Sequence, residues 1–238
     1  MKETRLIMGM PVIINIPNPV SGEIMQKLFD YFRYVDNTFS TYKKTSEITK
    51  INAGALDKFH YSPDMNEILR LAEQTKNETN GYFNIQKEHS IDPSGIVKGW
   101  AIHNAANILR KTGYTNFYVE AGGDIEVAGS WTIGIRNPFN TQEIVKKVKL
   151  YDHGIATSGT YERGNHIYNP KNNMPVTEIV SLTVIGPNVY EAERFATAAF
   201  AMGKQGILFI EQLDGFEGYM IDTHGIATET RGFHVYVI

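Results

Sequence analysis

The chain has 238 residues, 42% of them apolar, and a net charge of -3, enough for a full core and without the basic surplus that nucleic acid demands. It has no cysteine, which excludes disulfides, thiolate metal sites, a cysteine nucleophile and a cysteine-linked lipid. The apolar run after the N-terminus stops at Pro17, and no stretch approaches the ~18 apolar residues of a membrane span. The expectation is a soluble, cytoplasmic protein without a membrane anchor, folded as a single domain over residues 1–238.

Arg5 to Ile16 is rich in Ile, Val and Met and reads as a strand interrupted at Gly9. Ser21 is placed to cap a helix whose Ile24, Leu28, Phe32 and Val35 share one stripe. Ser62-Pro63 opens a second helix, which ends at Gly81. A third runs from about Ile96 to Lys111, with Val97, Ala101, Ala105, Ile108 and Leu109 inward and Gly113 as its stop. Strands follow at Asn116–Glu120, Trp131–Ile135, Ile144–Leu150 and Val180–Ile185, with Lys146, Lys147 and Lys149 read as the wet face of a strand. A fourth helix covers Glu191–Met202 and a short fifth Ile207–Leu213; terminal strands are expected at Gly218–Ile221 and Phe233–Val237. Strands and helices do not alternate regularly. That order predicts an α+β fold with mixed, largely antiparallel sheets and flanking helices.

Five segments carry residues suited to chemistry, and each also has an ordinary structural use. Ser40-Thr41-Tyr42 and Ser46-Glu47-Ile48 make a hydroxyl-rich loop in which Ser46 can cap a short helix. Asp92 through Ala101 runs from a Gly-containing turn into a helix with Lys98 in its first turns; free N–H groups and a lysine suit phosphate there. Gly122-Gly123-Asp124 after a strand reads as a hairpin turn, or as a close approach for a flat ligand. Ala156 through Arg163, followed by His166 and Pro170, offers small hydroxyls and a group that titrates near neutral pH. Glu193 and Thr197 lie four apart on an alanine-rich helix and offer hard oxygen ligands that suit magnesium. No two histidines have the spacing of a zinc site.

In their order these segments resemble the ApbE-like flavin transferases, the FAD:protein FMN transferases. The matching pieces are Met8-Gly9, the Ser40 and Ser46 segments with Ile51-Asn52, Gly81-Tyr82-Phe83, Asp92 through Ala101, Gly122-Gly123-Asp124, Ala156 through Arg163, His166-Ile167 with Pro170, and Ala192 through Ala198. The resemblance runs from Met8 to about Gly203. It implies an α+β fold related to the tunnelling fold, FAD as substrate, Mg2+ on its pyrophosphate, and transfer of FMN to a Ser or Thr of a target flavoprotein with release of AMP. Carried over, Gly95 (through its carbonyl), Glu193 and Thr197 would hold the metal. Lys98 would face the phosphates. Met8, Ser40, Tyr42, Gly122, Gly123, Asp124, Thr157, Ser158 and Gly159 would serve the flavin or adenosine, and His166 would be the base.

Several positions depart from the family pattern. Glu193 stands where an aspartate is usual, Gly95 where alanine is, and Asn169 where an acidic residue precedes the proline. Met10, Thr160 and His103 replace Thr, Asp or Asn, and Asp, and the stretch between Ile85 and Asp92 is short. The chain lacks the family's own acceptor motif, so the expected acceptor is another protein. Two other uses of the same site are an FAD pyrophosphate hydrolase giving FMN and AMP, and a non-catalytic FAD-binding protein.

Overall fold

The computed structural model describes residues 1–160 and 167–238. The N-terminal strand is a hairpin, β1 (Lys2–Ile7) and β2 (Met10–Asn15), joined by Met8-Gly9 with φ of 57° and 73°. Two positive φ angles give the turn whose twist matches flanking strands. Helix α1 (Gly22–Phe39) starts where Ser21 accepts from the Ile24 N–H, and α2 (Glu47–Asn52) where Ser46 accepts from Thr49. Helix α3 (Pro63–Glu78) has Ser62 as its cap and proline in its first turn. Helix α4 (Ser94–Lys111) ends before Gly113 at φ 91°.

Then come β3 (Phe117–Ala121), β4 (Asp124–Ala128), β5 (Ser130–Asn137), β6 (Asn140–Tyr151), β7 (Gly154–Gly159), β8 (Tyr168–Asn169), β9 (Met174–Pro175) and β10 (Ile179–Gly186). The C-terminal part holds α5 (Val189–Ala201), α6 (Gly206–Glu211), β11 (Glu217–Asp222) and β12 (Ala227–Glu229). The expected last strand, Phe233–Val237, is instead a 3-10 turn over Phe233–Tyr236. Its alternation suits a strand, but β12 already occupies the free edge of β11. Phe233 turns inward and stacks on Tyr219 at 5.4 Å, and only Val237 bridges, to Val148.

Among the described residues, one eight-stranded antiparallel sheet runs in the order β1-β2-β3-β4-β7-β10-β11-β12. Period-two alternation sends its side chains into two different cores. Ala156, Leu182, Val184 and Met220 pack under α5 and α6, while Val12, Ile14, Val119 and Ala121 pack under α1, α3 and α4. The intervening Ile125, Ile155, Ile185, Tyr219 and Ile221 face the β5–β6 ribbon through Ile135, Val148 and Leu150. The layers are therefore helices, sheet, ribbon, an α+β arrangement. No helix among the described residues is long and apolar enough to cross a membrane.

One irregularity in the sheet places the site. Strand β3 stays paired with β4 to its end, at Ala121 and Asp124, and β7 stays paired with β10 to Gly159 and Ser181. Between them, β4 and β7 pair only at Ile125–Ile155 and Glu126–Gly154. Beyond that point the two halves of the sheet part, leaving the Gly122-Gly123 turn on one side and Thr157–Gly159 on the other.

Candidate functional site

A cavity of about 1830 Å³ opens at that parting. Its floor comes from three elements: the start of α4 (Gly95, Lys98), the β3–β4 turn (Gly122, Gly123, Asp124) and α5 (Glu193, Thr197). Thr157, Ser158 and Gly159 of β7 form one side, and the ribbon closes another with Trp131, Ile133 and Ile144. At the mouth stands Tyr42, almost wholly exposed. The volume exceeds the ~300–1,000 Å³ of a common small-molecule pocket and suits a dinucleotide in extended form.

The charged centre is built from backbone constraints. Gly122 and Gly123, at φ of 56° and 88°, turn the chain tightly enough to start β4 at Asp124. Asp124 is buried; its Oδ1 accepts from the Thr157 N–H at 3.0 Å, and its Oδ2 pairs with Lys98 Nζ. Glu193 is likewise buried: Oε2 accepts from the Gly99 N–H at 2.6 Å and Oε1 lies 3.3 Å from Lys98 Nζ. Gly99 is what lets α4 and α5 approach. A Cβ there would stand 2.8 Å from the Val189 carbonyl oxygen and 2.9 Å from Glu193 Oε2.

One ammonium thus serves two buried carboxylates. Burial pulls the Lys98 pKa down, but Asp124 and Glu193 outweigh it and raise it. Asp124 takes the direct ion pair, and Glu193 is left short of compensation. Burial then dominates, and Glu193 is pushed up from 4.5 to about 7.

Gly95, Glu193 and Thr197, which carry oxygen donors for a cation, line the same floor. Thr197 sits beside Gly95, with its Oγ1 3.6 Å from where a Gly95 Cβ would lie. Among the described residues no three His, Asp or Glu side chains gather around one point. A carboxylate, a hydroxyl and a main-chain carbonyl make a sparse, hard donor set. It fits Mg2+, which keeps few protein ligands and takes the rest from water and phosphate. Helix α4 begins at this floor without a side-chain cap, so its dipole and Lys98 both favour an anion there.

Of the residues expected from sequence, Tyr42, Gly95, Lys98, Gly122, Gly123, Asp124, Thr157, Ser158, Gly159, Glu193 and Thr197 come together around this cavity. Met8 and Ser40 do not join its lining among the described residues. Met8 occupies the β1–β2 turn, and Ser40 ends α1, its carbonyl accepting from Ser46 Oγ at 2.7 Å. His166 lies outside the described residues; Gly159 before it and Ile167 after it both line the cavity.

Sequence reasoning missed the buried Glu126 beside this site. Glu126 accepts from the Val189 N–H at 3.1 Å, the first residue of α5, and meets His103 at 3.0 Å and Arg110 at 2.6 Å. Burial opposes its ionisation, but His103 and Arg110 prevail and hold its pKa below the usual carboxylate value. The strand spacing Asp124, Glu126 was the available signal: both face the helices. Tyr118 and Trp131, edge to face at 4.9 Å, were also missed as cavity walls.

The family model described as the ApbE family matches residues 8–89 and 85–220. Among curated relatives, the FAD:protein FMN transferase of Escherichia coli (strain K12) is 27% identical over 156 residues, 59% of this chain and 44% of the relative. That of Vibrio cholerae serotype O1 is 30% identical over 157 residues, covering 54% and 47%. The chain spans about half the length of these relatives. Among solved structures, the flavin transferase ApbE from Vibrio cholerae aligns with a TM-score of 0.85 at 21% identity, covering 99% of this chain and 98% of that one. The ApbE protein of Thermotoga maritima aligns at 0.87 and 20%, with the same coverage. At such identities these structures speak for the fold.

Proposed function

This chain belongs to the ApbE family, and on that premise we propose that it transfers FMN from FAD, with Mg2+, to a Ser or Thr hydroxyl of a target flavoprotein, releasing AMP. The observation that carries this is the Asp124–Lys98–Glu193 cluster at the start of α4, on the floor of a cavity large enough for a dinucleotide. A pyrophosphate concentrates negative charge, and the floor offers a lysine, a helix N-terminus and oxygen donors for a cation at one place.

The acceptor hydroxyl oxygen attacks the phosphorus of the FMN half. The bond from that phosphorus to the bridging oxygen breaks, and AMP leaves with the bridging oxygen. His166 takes the hydroxyl proton, a contribution typically worth ~10²–10⁴ in rate. Lys98 meets charge that builds on the phosphate oxygens. Asp124 and Glu193 keep their places through the Thr157 and Gly99 N–H groups. Glu193, Thr197 and the Gly95 carbonyl would hold Mg2+, which when bound withdraws charge from the phosphates. Trp131, Tyr118 and Ile133 supply an apolar wall for a ring system.

The test is the intact mass of a candidate acceptor incubated with the chain, FAD and Mg2+. A gain equal to one FMN moiety is expected, lost with EDTA and with His166→Ala. Tight FAD binding with no mass gain on any Ser- or Thr-bearing acceptor would instead mark a flavin-binding protein without transfer.

A further inference from the structure

The functional reading gives Lys98 a place on the phosphates, yet its ammonium is already engaged with Asp124 and Glu193. Each carboxylate is held twice. Asp124 has Oδ1 on the Thr157 N–H and Oδ2 on Lys98; Glu193 has Oε2 on the Gly99 N–H and Oε1 towards Lys98. One oxygen of each acid is thus fixed by backbone and the other is covered by the same movable cation.

A divalent cation arriving at Glu193 would meet that ammonium, and two cations sharing one oxygen repel strongly in a site with little water. Removing the ammonium with nothing in its place would leave two buried carboxylates uncompensated. Neither change is favourable alone; made together, they balance. Lys98 lines the open cavity, so its ammonium can turn towards a ligand there; beside the glycine turn, by contrast, Met10 Sδ stands 2.8 Å from where a Gly122 Cβ would be.

Resting on the functional reading above, we propose that Lys98 is an exchangeable counter-ion. Without substrate it bridges Asp124 and Glu193. The dinucleotide's pyrophosphate draws it off, and Glu193 then passes to the divalent cation. FAD and the cation would therefore bind with positive coupling, each raising the other's affinity by the same factor.

Calorimetric titration with Mg2+, with and without FAD, tests this, with flavin fluorescence reporting FAD binding separately. In the parent chain FAD should tighten Mg2+ binding by about tenfold or more. Lys98→Met should bind Mg2+ alone more tightly than the parent, and its coupling should shrink towards none. FAD binding with unchanged Mg2+ affinity in the parent would overturn the exchange while sparing the functional reading. Absence of any FAD binding would remove that reading and the exchange with it. The parent arm needs no variant. Lys98→Arg, keeping the cation, checks that lost charge and not lost packing is responsible: Mg2+ alone bound as weakly as by the parent supports the exchange, and binding as tight as in Lys98→Met contradicts it.

Discussion

Gly99→Ala should both destabilise the protein and disturb the charged centre. In an ordinary helix interior the change gains about 1 kcal/mol from propensity. Here the new methyl would stand 2.8 Å from the Val189 carbonyl oxygen and 2.9 Å from Glu193 Oε2, both part of α5. Overpacking of this kind costs about 1–3 kcal/mol. Forcing the helices apart also weakens the 2.6 Å bond from the Gly99 N–H to Glu193, and a bond to a charged acceptor contributes about 1.5–3 kcal/mol. The net loss is about 1.5–5 kcal/mol, or a Tm lower by about 3–20 °C for a chain of this size. Thermal unfolding followed by circular dichroism measures it. Gly22→Ala is the control, because nothing stands within 4 Å of its added methyl; its Tm should hold or rise slightly. A Gly99→Ala protein as stable as the parent would mean that close approach of α4 and α5 does not set Glu193.

Glu126→Ala leaves the buried Val189 N–H without its acceptor and should cost about 1–3 kcal/mol in urea unfolding. The lower part of the range is favoured because His103 and Arg110 are partly exposed and can meet water. Glu126→Gln, which keeps an acceptor, should cost less; equal losses would deny Glu126 its part in seating α5. Glu193→Gln should change how stability varies with pH in metal-free buffer. Glu193 rises from 4.5 to about 7 on folding, so the folded state holds its proton more tightly. That contribution is complete below about 4.5 and is lost as pH rises through about 7. The variant should flatten the decline across that window, and an unchanged slope would show that Glu193 is not short of compensation.

Most helices were legible because their signals are local. The Leu28, Phe32, Val35 stripe and the Ser21 and Ser62 caps need no partner to be read. Strands β4 and β7 were not. Asp124–Ala128 follows two glycines and carries two acids, and Gly154–Gly159 is made of small residues apart from Ile155. Both are strands because neighbours supply their hydrogen bonds, which sequence pattern does not record. Missing them hid the parting of β4 from β7 that opens the cavity. The C-terminal segment failed in the opposite direction: Phe233–Val237 alternates like a strand, but β12 holds the edge it would need. The expected residues that line the cavity were picked out through the order of their motifs. Their contacts, Lys98 between two acids above all, depend on three separate elements meeting.

The most direct measurement of the central claim is AMP released from FAD, followed by liquid chromatography with and without an acceptor flavoprotein. Transfer predicts AMP in one-to-one ratio with flavin bound to the acceptor, and little AMP when no acceptor hydroxyl is present. Equally fast AMP release without the acceptor would contradict it and make water the nucleophile at this site.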